Sequence, residues 1–263
     1  GGLLRPDSGG TMNISPSMMR ALKDPSLWGR IHASNLGAFI ANAISEDLNI
    51  PAFIVDPVVV DEFDEIARIS GIPEIERKSL MHALNIRYIS RLVASDMGKK
   101  HDEANQIGVH MGGGISVAAI KAGRVVDVNN ALLGMGSFSP QRAGALPIGD
   151  LLDLAYSGKY SKKELTTYLT KTAGLMAYLG TDSGIEVNNR IQEGDKKAEL
   201  ILKAMCYQVA KEIGACATVL NGKVDAIFLS GGLVYNALIV DEIKARTGFI
   251  APIHLYPGEK EME

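Results

Sequence analysis

The sequence predicts an α/β fold, and three features from residue 106 onward predict it. Three short strands follow one another at Gln106 to Met111, Ser116 to Lys121 and Arg124 to Asn129, each rich in β-branched and apolar residues. Helical patterns fill the next stretch and end with a long amphipathic helix from Lys196 to Leu220. A buried apolar strand at Ala226 to Ser230 then precedes a last helix and a last strand. The order is therefore βββ, helices, β, α, β.

This order is the ribonuclease-H-like order of the superfamily that contains actin, sugar kinases and acyl kinases. In that superfamily two copies of the unit face each other across a nucleotide cleft. We therefore expect an actin-like ATPase fold of duplicated ribonuclease-H-like domains with the cleft between them. Residues 101–263 would form the second domain, and residues 1–100 the first, which lacks an opening βββ and is expected to be incomplete.

Composition bounds the class of protein. The chain has 263 residues, 46% hydrophobic content, 28 glycines and a formal charge of −3, which is typical of an α/β protein with a substantial core. So small a charge predicts neither a nucleic-acid nor a membrane partner. Cys206 and Cys216 lie in one helical pattern without a Cys-x-x-Cys, so we expect buried thiols in a reducing, cytoplasmic compartment.

The first hundred residues predict alternating elements. Ser15 is a good helix N-cap with Pro16 at the first helical position, after a short strand over residues 11–15. A second helix is predicted over Asn35 to Asp47, and a short, fully apolar strand at Ala52 to Val55 ends at Asp56-Pro57. Helical periodicity then runs from Arg77 to Met97.

The later elements are bounded by turn and cap signals. Ala122-Gly123 is a two-residue turn between strands, and a loop rich in Gly, Ser and Pro covers residues 130–147. The segments Ser161 to Glu164 and Ser183 to Glu186 both satisfy the capping-box pattern. A last helix is predicted over residues 236–246 and a last strand over residues 250–255.

The turn after the first of the three strands carries the strongest functional signal. His110 is followed by Gly112, Gly113 and Gly114, so the backbone N–H groups of this turn are open to phosphate oxygens. A β-bulge or a loose hairpin turn explains the same glycines equally well. The oxyanion loop of lipases and the P-loop are both excluded, because neither Gly-x-Ser-x-Gly nor Gly-x-x-x-x-Gly-Lys-Ser/Thr occurs.

Motifs along the whole chain resemble the butyrate kinase and branched-chain fatty-acid kinase family of the acetate kinase group. The matching stretches are Gly1 to Leu4, His32 to Gly37, Val55 to Glu62, Arg77 to Asn85, His110 to Ser116, Val126 to Leu132, Arg142 to Pro147, Ala177 to Thr181 and Leu229 to Leu233. The resemblance implies ATP-dependent phosphorylation of a short-chain carboxylate such as butyrate, by direct in-line transfer with Mg²⁺.

The resemblance also implies the roles of individual residues. Arg142 would stabilise the transition state, and His82, at a helix start, would donate to a phosphoryl oxygen. Asp56 would lie in the cleft and orient Mg²⁺ or a water, with Glu261 as a second residue linked to the metal. His32 would lie near the acyl group. The nucleotide would be bound by the residues His110, Gly112, Gly113, Gly114, Gly231 and Gly232.

Structural alternatives remain open for several of these residues. Arg142 could be a solvated loop arginine, and a lone helix histidine such as His82 is more often packed than catalytic. His110 could be a strand histidine bonded to a backbone carbonyl, and Asp56 part of an Asp-Pro turn. Gly184 stands where relatives often carry Arg or Lys, so a nucleotide contact from that side chain is in doubt.

Relative to the resembling family, we expect both ends of the chain to be cut. Residues 1–100 would be the remnant of an N-terminal acyl-substrate domain and residues 101–263 the C-terminal nucleotide-binding domain. Loss of upstream strands would expose the apolar edge at Ala52 to Val55. We expect a homodimer or higher homo-oligomer, and a fragment alone that makes no acyl phosphate. The alternatives are a non-catalytic nucleotide-binding or dimerisation module, and an acetate or propionate kinase relative.

Overall fold

The computed structural model describes residues 9–24, 35–259 and 261. Its strands and helices are, in chain order, β1 (Thr11–Asn13), α1 (Pro16–Lys23), α2 (Leu36–Leu48), β2 (Phe53–Val55), α3 (Glu65–Arg68), α4 (Ala83–Asp96), β3 (Gln106–Met111), β4 (Ile115–Lys121), β5 (Arg124–Val128), α5 (Ile148–Tyr156), α6 (Lys162–Thr167), α7 (Gly174–Leu179), α8 (Gly184–Gln192), α9 (Lys196–Val219), β6 (Ala226–Gly231), α10 (Ala237–Thr247) and β7 (Ile253–Pro257).

A five-stranded mixed sheet organises the chain from residue 106 onward. Its strand order is β5-β4-β3-β6-β7, in which β5, β4 and β3 are antiparallel neighbours and β3, β6 and β7 are parallel. This is the predicted order. The first three strands form a meander, and helical crossovers then place β6 beside β3 and β7 beside β6. The α/β, ribonuclease-H-like prediction is therefore confirmed for this part of the chain.

Helices cover both faces of the sheet. On one face α9 packs Met205, Val209 and Ile213 against the inward side chains of β3, β4 and β6. On the other face α4 packs Ile86 and Ile89 against its opposite side chains. Each large apolar side chain buried in this way contributes about 1.5–3 kcal/mol relative to exposure. The two helical layers cover the sheet on both sides. The packing of α4 places the amino end of this helix against the carboxyl end of β3.

Several predicted turns and caps are confirmed. Ala122 and Gly123 have φ of 49° and 75°, the two positive values that a type I′ hairpin turn requires. Ser161 and Glu164 form the complete capping box. At Ser183 only half of the predicted box forms: the Ser183 side chain accepts from the Glu186 amide, but the Glu186 carboxylate accepts from the Thr181 hydroxyl.

Two predicted elements begin at different residues. The helix predicted from Arg77 begins at Ala83, because the preceding residues are held in an extended path: the Arg77 guanidinium pairs with Asp127 and the Met81 amide donates to a loop carbonyl. The last strand runs over Ile253–Pro257 and not over residues 250–255. Ile250 instead closes a turn onto the Thr247 carbonyl.

The first part of the chain contains a small antiparallel pair of strands. β2 pairs with β1, so the prediction that the strand at Ala52 to Val55 lacks a pairing strand is wrong for that edge. Of its three residues only Ile54 is buried, whereas Phe53 and Val55 are 48% and 42% exposed. The strand is therefore apolar but not fully buried. None of the described helices combines the length and apolarity needed to cross a membrane.

Candidate active site

Strand register brings three polar side chains together at one end of the sheet. His110, near the end of β3, pairs with Ser116 on β4 and with Ser230 on β6. All three side chains are almost completely buried. The amino end of α4 lies over this row and adds His82 and Asn85, which are one helical turn apart. A buried polar cluster at the carboxyl ends of parallel strands is a usual position for a ligand site in an α/β sheet.

His82 occupies the N-cap position of α4 and so lies at a helix start, as the family resemblance implied. Its backbone amide donates to Ser116 Oγ at 3.2 Å, and its Nδ1 lies 2.8 Å from the same oxygen. Its ring stacks on that of His110, with 4.2 Å between centroids and 30° between planes. The structure therefore brings the two sequence-predicted histidines into direct contact, although 28 positions, 82 to 110, separate them.

His110 is bound on one side by a relay of polar groups. Its Nδ1 lies 2.9 Å from Asn85 Oδ1 and 3.4 Å from Ser230 Oγ. Asn85 in turn donates from Nδ2 to Glu261 Oε2 at 2.8 Å. The other ring nitrogen, Nε2, points toward the glycine turn, where it would be 3.6 Å from a Cβ placed on Gly112. It also lies 3.6 Å from the exposed carboxylate of Glu259.

Both histidines are held in the neutral form. Burial lowers the pKa of His82 from 6.5 to about 3, with the charges of His110 and Arg142 lowering it further. Burial also lowers the pKa of His110 to about 4, although the carboxylate of Glu261 opposes the shift. Two stacked imidazoles cannot both be charged in this site, so at neutral pH each presents one donor and one acceptor nitrogen.

The stability of the protein should fall in acid partly through these histidines. The unfolded chain protonates each ring near pH 6.5, whereas the folded chain does so only near pH 4 and pH 3. The unfolded state thus binds more protons in between, so the stabilisation is complete above pH 6.5 and is lost as the pH falls toward these values. Urea unfolding at several pH values measures this loss in the free energy of unfolding.

The control for this prediction is the variant His82→Gln/His110→Gln. Its free energy of unfolding should decline less steeply than that of the wild type below pH 6.5. Equal slopes for the two proteins would show that the histidines are not held neutral by the fold.

The loop after β5 places Arg142 beside the same cluster. Its amide donates to Ser139 Oγ at 3.1 Å, and Ser139 donates in turn to the Gly113 carbonyl at 2.7 Å. Its guanidinium donates from Nη1 to the Ala131 carbonyl, and its buried Nε has no hydrogen-bond partner among the described residues. Burial lowers the pKa of Arg142 from its usual value. A partly buried guanidinium with an unused donor is suited to an anion.

The glycine turn and Arg142 fit together closely. A Cβ placed on Gly114 would lie only 2.0 Å from Arg142 Nη1, so the guanidinium occupies the space that a side chain would need. Gly113 is more open, since a Cβ there would first meet Gln141 Oε1 at 3.4 Å. These contacts show a specific reason for glycine at position 114, beyond a loose turn.

An open cleft of about 840 Å³ begins at the glycine turn and extends to Gly232, at the end of β6. Its walls are Gly112, Gly113, Pro140, Gln141, Asp182, Ser183, Gly184, Ile185, Asn188, Gln192, Gly232, Leu233, Tyr235, Asn236, Ala237 and Leu238. Gly232 lines this cleft, and a Cβ there would meet no atom within 4 Å. Gly231 has a different role: its φ is 91°, and a Cβ would lie 2.4 Å from the Met111 carbonyl oxygen. Gly231 therefore has a structural role, because only glycine fits between β6 and the backbone of β3 at this position.

Asp56 lies in a second polar network. Its Oδ1 is 2.9 Å from Arg87 Nε and accepts from the Gly10 amide at 2.7 Å, and its Oδ2 is 3.9 Å from Arg91. Asp56 is 3% exposed and has a positive φ of 40°. The Arg87 charge competes with a metal ion for this carboxylate. Glu261 instead contacts the histidine cluster through Asn85, and His32 lies outside the described residues.

The described residues contain no group of three or more His, Cys, Asp or Glu side chains placed to hold a metal ion. Mg²⁺ that acts on a nucleotide is usually bound by one or two carboxylates together with phosphate oxygens and waters. Glu261 uses Oε2 to accept from Asn85 and lies beside the histidines, so its carboxylate fits such an ion.

Sequence reasoning did not single out Asn85, Ser116 or Ser230. The serines could have been found from the predicted strand register, because both pair with His110. Asn85 could have been found from helix periodicity, because it lies three positions after His82 on the same helix.

The fold and the site together define an α/β protein with a mixed sheet, a polar cluster at one end of the sheet and a cleft beside that cluster. The chain belongs to the Acetokinase family, whose sequence model matches residues 74–249. This range contains His82, His110 and Arg142. The part of the chain that the family model matches therefore includes these three side chains of the candidate site.

Solved structures of acetate and propionate kinases share the fold. The structure of Porphyromonas gingivalis acetate kinase is 21% identical, with a TM-score of 0.84 over 98% of this chain and 74% of that chain. A propionate kinase from Francisella tularensis subsp. tularensis SCHU S4 is 20% identical, with a TM-score of 0.82 over 97% and 73%. Acetate kinase from Entamoeba histolytica is 16% identical, with a TM-score of 0.81 over 96% and 75%. The actin-like fold prediction is confirmed by these similarities.

Proposed function

We propose that this protein is an ATP-dependent carboxylate kinase that converts a short-chain carboxylate, butyrate or a similar acid, into an acyl phosphate. One observation carries the proposal. The partly buried guanidinium of Arg142, with a buried and unused Nε donor, lies against the glycine turn beside two neutral histidines. Membership of the Acetokinase family and the names of its structural neighbours support the reaction class.

The arrangement suits direct transfer of a phosphoryl group. Such transfer needs little covalent help; it needs charge and donors around the equatorial oxygens of the moving group. Arg142 supplies the charge, and His82 supplies a neutral donor. The acceptor carboxylate is already ionised at neutral pH, so no general base is required. This distinguishes the site from that of a kinase that phosphorylates a sugar hydroxyl.

The nucleotide is proposed to lie in the 840 Å³ cleft. Its phosphates would approach the backbone of Gly112, Gly113 and Gly114 beside His110, and its adenosine would pass over Gly231 and Gly232. When bound, Mg²⁺ supplies a positive charge that neutralises the leaving diphosphate. Glu261 is the proposed carboxylate for the ion, and Asp56 the second candidate, either as a ligand or through an ordered water.

Several further assignments belong to this proposal. Residues 1–100 would contribute to the acyl-substrate domain, with His32 near the acyl group, and residues 101–263 would form the nucleotide-binding domain. Helix α4 falls in the first range but packs on the sheet of the second, and so would connect the two. We also propose a cytoplasmic location and a homo-oligomeric state. The rival reading is a nucleotide-binding or dimerisation module without catalysis.

An acyl hydroxamate assay tests the proposed reaction. The purified full-length protein is incubated with ATP, Mg²⁺, hydroxylamine and, in separate reactions, acetate, propionate, butyrate and isobutyrate. Hydroxamate should form, most rapidly with butyrate or isobutyrate. Faster reaction with acetate or propionate would favour an acetate or propionate kinase. Because one methylene discriminates by only about 10–200-fold, a graded series is expected. No hydroxamate with any acid, together with intact nucleotide binding, would favour the non-catalytic module.

Gly113→Val should abolish nucleotide binding without unfolding the protein. The added side chain enters the cleft, where a Cβ meets only ordinary contacts with Gln141, so the fold tolerates it while the phosphates lose their approach. Titration calorimetry with MgATP measures the affinity. The control is Gly149→Ala, because a Cβ there meets no atom within 4 Å and Gly149 is not part of the cleft wall. Unchanged affinity in folded Gly113→Val would place the phosphates elsewhere.

A further inference from the structure

The hydrogen bonds around His110 fix which of its nitrogens carries the proton. Asn85 donates from Nδ2 to Glu261 Oε2, so its amide turns Oδ1 toward His110. Ser230 donates its hydroxyl proton to the same Oδ1 at 2.6 Å. Neither group can donate to His110 Nδ1, which lies 2.9 Å from Oδ1. The ring therefore carries its proton on Nδ1, and Nε2 holds a lone pair.

The same reasoning gives the opposite result for His82. Ser116 Oγ accepts from the His82 amide at 3.2 Å, and Ser116 is completely buried. A buried hydroxyl proton needs an acceptor, and His82 Nδ1 lies 2.8 Å from Ser116 Oγ. Ser116 thus donates to Nδ1, so the neutral ring of His82 carries its proton on Nε2. The two stacked rings hold different tautomers.

We propose that Asn85 is a positioning residue that holds His110 in its Nδ1-protonated form, while Ser116 holds His82 in the Nε2-protonated form. His82 is then ready to donate to a phosphoryl oxygen. His110 instead turns the lone pair of Nε2 toward the glycine turn, where it can accept a hydrogen bond. On the proposed function, His82 therefore offers a donor to the phosphates of ATP, whereas His110 offers an acceptor.

Asn85 also joins His110 to Glu261. Its Nδ2 donates to Glu261 Oε2, and this bond fixes the orientation of the amide, so that Oδ1 faces His110. If Asn85 is removed, His110 loses the acceptor for its Nδ1 proton. The neutral ring is then free to adopt the other tautomer.

Two-bond ¹H–¹⁵N correlation spectra of the free protein test the tautomers without any substrate. The five histidines are assigned with His82→Gln and His110→Gln variants. In the wild type, the unprotonated nitrogen should be Nε2 in His110 and Nδ1 in His82. Asn85→Ala should change the pattern of His110 and leave that of His82, whereas Ser116→Ala should do the reverse. Asn85→Asp, which keeps an acceptor for His110 Nδ1, should preserve the His110 pattern.

The proposal is overturned if wild-type His110 carries its proton on Nε2, or if Asn85→Ala leaves the His110 pattern unchanged in a protein with wild-type circular dichroism. If Asn85→Ala does not fold, Asn85→Asp still decides the matter, because it must retain the Nδ1-protonated pattern. Kinetics form a separate arm: turnover should fall about tenfold or more in Asn85→Ala and recover at least in part in Asn85→Asp. If no acid yields hydroxamate, the proposed function fails while the tautomer result stands.

Discussion

Arg142→Ala should lower turnover by about 10²-fold or more, with a much smaller rise in the Michaelis constant for ATP. The guanidinium is partly buried, keeps a buried and unused Nε donor, and lies close enough to His82 to lower the pKa of that ring. Its charge is therefore worth more against a transition state than a solvated arginine would be, because few waters compete with it. Steady-state kinetics on the full-length protein measure the effect.

Arg142→Lys is the matched control for this prediction. Lysine keeps the positive charge but lacks the planar guanidinium. In the wild type that group donates to the Ala131 carbonyl and has Nε free for the phosphoryl group. The turnover of Arg142→Lys should therefore lie between those of the wild type and Arg142→Ala. Gly114→Ala should act through the same residue, because its Cβ would displace Arg142 Nη1. In an Arg142→Ala background it should add little. A turnover of Arg142→Ala within a few-fold of the wild type would remove Arg142 from the site.

Gly231→Ala should be the most destabilising single change in the site, at about 2 kcal/mol or more. Gly231 has a φ of 91°, and its added Cβ would lie 2.4 Å from the carbonyl oxygen of Met111 and 2.9 Å from its amide nitrogen. These are backbone atoms of β3, the strand that pairs with β6. They cannot move without separating the two strands that carry His110 and Ser230.

Gly232→Ala is the neighbouring control, because a Cβ at that position meets no atom within 4 Å. Its free energy of unfolding should stay within about 0.5 kcal/mol of the wild type. Urea unfolding of the three proteins measures both changes. Equal stabilities for the Gly231 and Gly232 variants would contradict the structural role assigned to Gly231.

The sheet and its glycine turn could be predicted from the sequence because their signals are local. Strand alternation, the Ala122-Gly123 turn and the apolar strand before Gly231 each depend on neighbouring residues. The start of α4 could not be predicted in this way. Residues 77–82 continue the helical periodicity, but the ion pair between Arg77 and Asp127 holds them in an extended path.

The candidate site could likewise be predicted only in part from the sequence. His82, His110 and Arg142 were named from motif resemblance, and the structure brings them together. The groups that set their chemistry were not named, because each contact joins distant parts of the chain: the bond from Asn85 to Glu261 spans 176 positions. The Arg87 partner of Asp56 was missed for the same reason. Nothing local to an Asp-Pro pair indicates that a helix arginine will reach it.

The histidine rings offer the most direct test of the central claim, which is that the γ-phosphate is received by the cluster of His82, His110 and Arg142. A non-hydrolysable ATP analogue with Mg²⁺ is titrated into the ¹⁵N-labelled protein and the imidazole resonances are followed. At saturation the signals of both His82 and His110 should shift. The signals of His101, which bonds Ser90 two helical turns along α4 from His82, should stay in place. Saturable binding that leaves both cluster histidines unshifted would contradict the claim.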